Sequence, residues 1–367
     1  MRIGVNLLWV RPGKNGGTES YIRNILDGLL KYPQNDMQFV LFVSKDNAYS
    51  FEQCQGKQFE MVVCPIETSS FIKRVIWENL CLSRYSNRKF IDGWFMPVYS
   101  RPFSMGKIPI VTVIHDLQAL HYPEYFSKLR NMYFRISWRN DCKNSTKIIT
   151  ISEFCKNDIL KHYHIDSSRV EVIYNPIIVE KESVDFESIA KKYGIEKKQY
   201  FYTVSSLAKH KNLITLLKAM KLLRKKGDSQ KLIITGVKVN AESEIFSFIR
   251  NNGLDDCIVY TGFVSDEVRN ALYKYCKAFF FPSIFEGFGM PTIEAMSYGV
   301  PVITTMETSI PEVTENKAHY VNDPFNVEEW LRFMMDIPQN LDVIDMKKYS
   351  LKCVTDNYIK VFRNVFS

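Results

Sequence analysis

The sequence predicts an α/β protein with two Rossmann-like domains, each built on a doubly wound parallel sheet, that face each other across a cleft. Short β-rich runs alternate with helix-length amphipathic segments along the 367 residues. This alternation breaks near residue 176 and then starts again. A chain of this length also exceeds what one ordinary core holds, and it suits two domains of average size.

The first half contains seven runs with the composition of buried strands. These strands are predicted at 2–8, 38–43, 59–64, 91–97, 108–116, 146–152 and from residue 170. Helices are predicted near 18–31, 71–88, 124–142 and 152–162. Residues 170–188 are interpreted as the last strand of this half, an Asn-Pro break and a polar linker.

The second half repeats the pattern. Its strands are predicted at 200–206, 231–236, 257–263, 277–283 and 300–305. Its helices are predicted near 212–225, 241–252, 266–274, 291–298 and 326–336. A last amphipathic segment, 343–366, predicts a long terminal helix with no strand after it.

Composition and cysteine spacing limit the class of protein. The chain is 46% hydrophobic and 24% charged, as globular proteins are. It contains no apolar run near the roughly 20 residues that span a bilayer, and its start is interpreted as a strand and not as a signal peptide. The eight cysteines form no C-x-x-C pair, which favours free thiols in a reducing cytosol over disulfides or a zinc site.

The net charge of +8 is concentrated in the first half. Residues 1–175 carry 23 Lys and Arg against 16 Asp and Glu, whereas the remainder carries 25 against 24. Nucleic acid and an anionic membrane surface would both suit this basic excess. The aromatic and glycine residues do not follow an RNA-binding motif, so we expect no nucleic-acid partner.

The segment SIFEGFGMPTIEAMSYGVPVI, residues 283–303, contains two acids around a glycine-rich turn. It follows a buried strand, and Pro291 suits the first position of a new helix that Gly299 ends. Gly287 and Gly289 lack side chains, so a ligand can approach the backbone closely there.

This turn has the groups needed to bind a nucleotide-sugar. The amides of Gly289, Met290 and Thr292 lie at the start of the predicted helix, where phosphate is attracted. Glu286 and Glu294 can each accept hydrogen bonds from a diol, and a nucleotide-sugar has one diol on either side of its diphosphate. The alternative is a capped, acid-rich turn on the surface.

Four further residues follow predicted strands. Gly16 and Gly17 open a helix whose amides can meet a phosphate, unless they form an ordinary turn capped by Thr18. His115 ends an apolar strand and can donate a hydrogen bond to a sugar hydroxyl or phosphate, although a lone histidine is more often structural. Lys211 precedes a helix, where its ammonium can neutralise a departing diphosphate.

The sequence also bears on metal chemistry. It contains no D-x-D sequence, and its His, Cys and Asp residues do not have the spacing of metal ligands. A transferase that neutralises diphosphate with Mg²⁺ needs such carboxylates. We therefore expect a site without a metal or other cofactor, in which helix amides and a lysine neutralise the charge.

Together these segments resemble retaining glycosyltransferase family 4. The resemblance rests on EGFGMPTIEAM and on NGGTESYIRNIL, VTVIHDL, TISEFCKNDI, VIYNPI and VSSLAKHKNLITLLKAM. It implies the GT-B fold, with an acceptor-side domain at 1–175 and a nucleotide-sugar-binding domain at 176–344. It also implies that the last helix, 345–367, packs back on the first domain.

The resemblance assigns roles to individual residues. Lys211, Glu286 and His115 are the expected catalytic residues. The expected donor-binding residues are Gly16, Gly17, Ser206, Lys209, Gly287, Phe288, Gly289, Met290, Pro291 and Glu294. Many family members have an arginine where this chain has Ser206, so Lys209 or His210 would have to supply the second cation.

The implied reaction moves a sugar from a nucleotide-sugar donor to a saccharide acceptor, with retention of anomeric configuration. The segment HDLQALHYPEYFS resembles bacterial mannosyltransferases of O-antigen and capsule synthesis, which favours GDP-mannose and a lipid-linked acceptor. The alternatives are another GT-B enzyme, such as a nucleotide-sugar epimerase or an inverting transferase, and a non-catalytic nucleotide-sugar binder.

Two basic segments, 71–89 and 126–147, bear on location. The second has Lys128, Arg135 and Arg139 on one face, as in helices that adsorb to anionic lipid. A helix packed on the sheet with a solvated charged face has the same pattern. The resemblance favours a cytoplasmic enzyme that is peripheral at the inner face of the membrane.

Overall fold

The computed structural model describes residues 1–56, 58–179, 184–237 and 243–367. Part of the predicted linker, 180–183, and the first residues of the helix predicted near 241–252 lie outside the described residues.

Two compact units make up the chain. The first combines Met1–Ile178 with Lys347–Ser367, and the second is Val179–Met346. Residues just beyond the predicted boundary at 175 stay with the first unit, because the Ile177 amide donates to the Tyr349 carbonyl at 2.8 Å.

Strands and helices alternate in both units. The strands are β1 (Arg2–Asn6), β2 (Gln38–Ser44), β3 (Phe59–Cys64), β4 (Gly93–Met96), β5 (Ile110–Val113), β6 (Lys147–Thr150), β7 (Val170–Val172), β8 (Tyr200–Val204), β9 (Lys231–Thr235), β10 (Ile258–Gly262), β11 (Ala278–Phe281), β12 (Val302–Thr305) and β13 (His319–Val321). The helices are α1 (Gly17–Lys31), α2 (Phe71–Trp77), α3 (Ser83–Arg88), α4 (Gln118–His121), α5 (Lys128–Asn144), α6 (Glu153–Tyr163), α7 (Phe186–Tyr193), α8 (Leu213–Lys225), α9 (Glu244–Asn251), α10 (Asp266–Tyr275), α11 (Met290–Ser297), α12 (Ile310–Val313), α13 (Val327–Met335) and α14 (Leu351–Phe366).

Within the described residues, each unit contains one sheet whose strand pairings are all parallel. The first sheet has the order β3-β2-β1-β4-β5-β6-β7, and the second has the order β10-β9-β8-β11-β12-β13. The order reverses between β1 and β4 and again between β8 and β11. The predicted fold class, two doubly wound parallel-sheet domains, is confirmed.

The terminal helix α14 packs against α1 in the first unit. The hydroxyls of Tyr21 and Tyr358 lie 2.6 Å apart, and both side chains are buried. Gly28 allows this close approach, because a Cβ there would lie 2.0 Å from Oγ1 of Thr355. Thus the last residues of the chain complete the core that the first helix begins.

Several elements differ from the sequence prediction. The helix predicted near 71–88 is interrupted by a π turn, Glu78–Leu82, which brings Glu78 into the interior, where Nδ2 of Asn6 donates to it at 3.0 Å. Helix α5 begins at 128 because the Ser127 hydroxyl accepts from the Arg130 amide. The sequence does not predict the short elements α4, α7, α12 and β13.

The terminal helix is shorter than the predicted 343–366. It begins at Leu351, where the Ser350 hydroxyl accepts from the amide of Cys353. A side-chain cap of this kind satisfies an amide that has no partner within the helix. No helix among the described residues is both long and apolar enough to cross a membrane.

Candidate active site

Lys211 and Glu286 meet where the strand order of the second sheet reverses. Lys211 ends a short 3₁₀ turn after β8, and Glu286 lies in the loop after β11. Nζ of Lys211 is 2.5 Å from Oε1 of Glu286 and 5.3 Å from the centroid of the Phe281 ring. The two side chains are only 20% and 13% exposed. Doubly wound sheets bind their ligands at such reversal points.

Backbone contacts hold these two loops together. The carbonyl of His210 accepts from the amide of Ile284 at 2.8 Å and from the hydroxyl of Ser283 at 3.2 Å. Asn212 then takes a left-handed conformation with a φ of 48°, and its Nδ2 donates to the carbonyl of Pro324 at 2.8 Å. The position of Lys211 is therefore set by fixed backbone on both sides.

Two residues that the sequence reasoning missed hold the backbone of Glu286. Its amide donates to the hydroxyl of Thr308 at 3.0 Å, and its carbonyl accepts from the hydroxyl of Ser309 at 2.9 Å. Thr308 has a φ of 55°, a conformation that costs a β-branched residue free energy and often occurs near functional sites. Nothing in the local sequence pattern indicates this contact across 22 positions.

The glycine-rich turn leads into α11 as predicted in outline. Gly289 has a φ of 86° and precedes the helix, which begins at Met290, so Pro291 is its second residue and not its first. The carbonyl of Gly289 accepts both the amide of Thr292, at 3.0 Å, and its hydroxyl, at 2.8 Å. The expectation that the Thr292 amide faces a phosphate is therefore wrong. The buried Gly287 and Phe288 lie in the preceding loop.

Glu294 is held by two side chains of α10. The hydroxyl of Tyr273 donates to its Oε2 at 2.9 Å, and Nη2 of Arg269 lies 3.8 Å from its Oε1. Burial lowers the pKa of Arg269, but the neighbouring Glu294, Tyr273, Asp266 and Tyr202 together outweigh this effect and raise the pKa. Burial and then the nearby Glu294 charge raise the pKa of Tyr273. Glu294 is therefore paired and oriented before any ligand arrives.

The structure narrows the choice of a second cation. Burial and the neighbouring Lys211 ammonium lower the pKa of His210 to about 4, against the opposite effect of Glu286. His210 is therefore neutral near pH 7 and cannot take the place of a cation. Ser206 lies directly after the loop residue Ser205, and its hydroxyl accepts from the Ala208 amide. Lys209 is exposed on the same turn and remains the candidate.

Contacts with the start of α1 hold the first glycine-rich loop, which contains Gly16. Gly16 takes a φ of 56° and precedes α1, which begins at Gly17. Glu19, in the first turn of the helix, accepts from the Gly13 amide at 2.9 Å and pairs with Arg23 at 2.8 Å. Thr18 lies inside the helix, so the alternative in which it caps α1 is wrong.

His115 follows β5 in the first unit. Its Nε2 lies 2.9 Å from the carbonyl of Pro97, which can only accept, so Nε2 carries the proton. Burial lowers the pKa of His115 to about 4, against the opposite effect of that hydrogen bond. The imidazole is therefore neutral near pH 7 and its Nδ1 is an acceptor. The expectation that His115 donates a hydrogen bond to a ligand is therefore wrong for Nδ1, which can only accept one.

Two family models match the chain. A model described as Glycosyltransferase Family 4 matches residues 15–181, and one described as Glycosyl transferases group 1 matches residues 185–340. Gly16, Gly17 and His115 lie in the first match, and the Lys211–Glu286 pair lies in the second. The chain belongs to the glycosyltransferases. The predicted resemblance to family 4 is confirmed.

Curated relatives of this glycosyltransferase include two bacterial mannosyltransferases. The O-antigen chain mannosyltransferase RfbU of Salmonella typhimurium is 33% identical over 231 residues, 63% of this chain and 61% of that protein. The O-antigen chain mannosyltransferase B of Escherichia coli is 29% identical over 191 residues, 51% of this chain and 50% of that protein. The matches thus span about half to three fifths of these relatives.

Two solved structures share the fold of this chain. HepE of Anabaena, in complex with UDP and glucose, has a TM-score of 0.73 at 17% identity, with 99% of each chain covered. Sucrose-phosphate synthase of Thermosynechococcus elongatus has a TM-score of 0.76 at 14% identity, and the match covers 100% of this chain and 99% of that one. The glycosyltransferase has the GT-B fold.

The second unit of this glycosyltransferase contains ten of the thirteen predicted site residues, and in it Lys211 contacts Glu286. Its reversal point holds an ammonium against one carboxylate, and a second carboxylate follows on α11, clamped by a phenol and a guanidinium. Such a site can bind a diphosphate and hydroxyl groups in one place. Among the described residues, no three His, Cys, Asp or Glu side chains are grouped so as to hold a metal ion.

Proposed function

We propose that this glycosyltransferase moves a sugar from a nucleotide-diphosphate sugar to a saccharide acceptor in the synthesis of cell-surface polysaccharide. The observation that carries the proposal is the contact of Lys211 with Glu286 at the reversal point of the second sheet. The O-antigen mannosyltransferases among its relatives and the UDP and glucose bound to HepE support this assignment.

The proposed mechanism places positive charge where the reaction develops negative charge. As the bond between the anomeric carbon and the diphosphate breaks, charge grows on the leaving oxygen. We assign its stabilisation to the Lys211 ammonium and to the amide at Met290, which both belong to the second unit. Removing one such donor typically raises the barrier by about 3–4 kcal/mol.

The two glutamates then bind the groups on either side of the diphosphate. Glu286, fixed by its backbone contacts to Thr308 and Ser309, accepts hydrogen bonds from the donor sugar. Glu294, already oriented by Tyr273, accepts from the ribose hydroxyls. In the first unit, we propose that Nδ1 of His115 accepts a hydrogen bond from a sugar hydroxyl, because its other ring nitrogen is committed to Pro97.

Retention and metal independence are further parts of the proposal. The acceptor attacks the face from which the diphosphate leaves, and the diphosphate takes the acceptor's proton, so the protein need not supply a base. With a lysine and helix amides on the leaving group, a chelator should leave transfer unchanged. If the chelator abolished transfer and added Mg²⁺ restored it, the metal-free mechanism would be overturned.

The donor is proposed to be GDP-mannose. Thermal shift of the purified protein with GDP-, UDP- and ADP-sugars tests this choice, since a ligand that binds only the folded state stabilises it. GDP-mannose should give the largest shift, and Lys211→Met should reduce that shift. A larger shift with a UDP-sugar would reject GDP-mannose as the donor.

Product analysis separates transfer from the alternatives. Purified protein incubated with GDP-mannose and a saccharide acceptor should yield a mannosylated product with retained configuration. A changed nucleotide-sugar formed without acceptor would identify an epimerase instead. Binding of the donor with no turnover under any condition would identify a non-catalytic binder.

We propose a lipid-linked acceptor for this enzyme, and therefore work at the inner face of a membrane. The basic excess of residues 1–175 supports attraction to anionic lipid. Transfer to a saccharide on a lipid carrier should be faster than to the same saccharide free in solution. Equal rates for the two acceptors would argue against the lipid-linked assignment.

A further inference from the structure

Helix α5 presents an unusual face to solvent. Leu129, Met132 and Ile136 recur at helical spacing and lie along one stripe. Lys128, Arg135 and Arg139 form a parallel stripe beside it, and all six side chains are exposed. The predicted cationic face is thus present, and next to it lies an apolar stripe that the sheet does not bury.

The segment α2–α3 repeats this arrangement. Ile72, Ile76 and Leu80 are spaced four residues apart and are exposed, as are the cations Lys73, Arg84 and Arg88. The six apolar residues of the two segments are each between 48% and 64% exposed. Since large aliphatic side chains are usually buried, two such stripes in one unit need an explanation.

The two stripes belong to neighbouring elements of the same unit. The ring centroids of Phe71 on α2 and Tyr133 on α5 lie 4.9 Å apart, and the guanidinium of Arg130 lies 6.0 Å from the Phe71 ring. Phe103 is also exposed, and its amide donates to Oδ1 of Asn79 in the π turn at 2.9 Å. We call the exposed residues of these segments and Phe103 the α2–α5 surface.

The charge of the α2–α5 surface has one sign. The acids within the two segments are Glu78 and Asp141, which are 2% and 0% exposed. The nearest exposed acids along the chain, Glu67, Asp92 and Glu124, each lie four residues outside the segments. A solvated helix face normally mixes both charges, as α10 does with Asp266, Glu267 and Arg269. Apolar residues bordered only by cations suit an interface that is apolar below and anionic above.

We propose that the α2–α5 surface docks on the head groups of an anionic lipid bilayer. The aliphatic side chains and Phe103 enter the boundary between head groups and acyl chains, while the lysines and arginines contact lipid phosphates. This docking does not depend on sugar transfer, so the two can be tested separately. It does require that binding weaken as salt screens the cations.

Vesicle co-sedimentation of the full chain tests the proposal. The probes are phosphatidylcholine vesicles with and without phosphatidylglycerol, at low and high salt. The protein should bind only the vesicles with phosphatidylglycerol, and high salt should release it. Ile76→Ser with Met132→Ser, and separately Arg135→Gln with Arg139→Gln, should each weaken binding at least tenfold.

Matched controls come from the second unit. Phe325→Ser with Met335→Ser removes two equally exposed apolar side chains, and Lys218→Gln with Lys225→Gln removes two exposed cations of α8. These variants should bind vesicles as the unmodified protein does. No salt-sensitive binding, or equal losses in the control and α2–α5 variants, would overturn the proposal.

Two further measurements keep the outcomes distinct. Thermal unfolding shows that each variant is folded, and donor turnover in solution reports on the proposed reaction independently of lipid. Sedimentation velocity tests whether a second copy of the chain covers the surface instead. Suppose that the unmodified protein forms a dimer and that the double variant, Ile76→Ser with Met132→Ser, does not. This result would also overturn membrane docking.

Discussion

Replacing Lys211 by methionine removes one charge while keeping a side chain of similar length and volume. In the structure the Lys211 ammonium pairs with Glu286 at 2.5 Å and lies over the ring of Phe281. The thioether preserves the contact with the ring but cannot pair with the carboxylate. The variant therefore tests the charge and not the packing.

The substitution should change the activation free energy of transfer more than the free energy of unfolding. A fixed donor to the leaving group contributes about 3–4 kcal/mol to the barrier, which corresponds to a loss of roughly 100- to 1,000-fold in turnover. Breaking a fully buried ion pair costs about 3–5 kcal/mol of stability, and an exposed pair costs under about 1 kcal/mol. Because Lys211 and Glu286 are 20% and 13% exposed, about 2 kcal/mol is expected. The loss of activity should exceed the loss of stability.

Turnover of donor and thermal unfolding, measured on the same preparations, separate these effects. Combining Lys211→Met with Glu286→Gln removes both charges, so stability should recover while turnover stays at or below that of the single variant. Lys218→Met on α8 controls for the loss of an exposed charge and should match the unmodified protein. Recovery of turnover together with stability in the double variant would show that the pair is only structural.

Three further predictions follow from other contacts. Tyr273→Phe removes the hydrogen-bond donor to Glu294 and should weaken the binding of nucleoside diphosphate, measured by calorimetry, roughly 5- to 30-fold. Removing the 3′ hydroxyl of the nucleotide should then cost less affinity in this variant than in the unmodified protein. An equal cost in the two proteins would reject the role of Tyr273. The pKa of His115, lowered to about 4 from 6.5, means that the unfolded chain protonates first. The stabilisation by neutral His115 is therefore complete above about pH 6.5, and it is lost as pH falls towards 4, where the free energy of unfolding decreases by up to about 1.4 kcal/mol per pH unit. His115→Gln should make the free energy of unfolding, measured with urea, less dependent on pH in this range. Gly28→Ala should lower the melting temperature, because overpacking against α14 costs about 1–3 kcal/mol and outweighs a gain in helix propensity of about 1 kcal/mol. Asp27→Ala, the control on the same helix, should not lower it. Equal melting temperatures of the two variants would contradict the close packing.

Local pattern was enough to predict most of the fold. Strand and helix periodicity is set by each residue's near neighbours, so twelve of the thirteen strands in the described residues were placed to within a few positions. The prediction failed where the pattern was short, as at β13, or polar, as at α7. It also failed where a distant partner decided the outcome, as at the π turn that brings Glu78 to Asn6.

The candidate site divides in the same way. Glu286, Glu294 and Lys211 could be found from sequence, because glycine, proline and charge at the ends of strands mark where parallel sheets bind ligands. Their partners Thr308 and Tyr273 could not be found, since each lies about 20 positions away on another element. The same holds for the proton on Nε2 of His115, which depends on the Pro97 carbonyl.

By itself the sequence determined two doubly wound sheets and the loops at which a donor can bind, because both follow from spacing along the chain. Only the tertiary structure decided which charges pair, which histidines stay neutral and which apolar side chains remain exposed. Those properties depend on burial and on distances between residues far apart in sequence, and neither is encoded in any local run of amino acids.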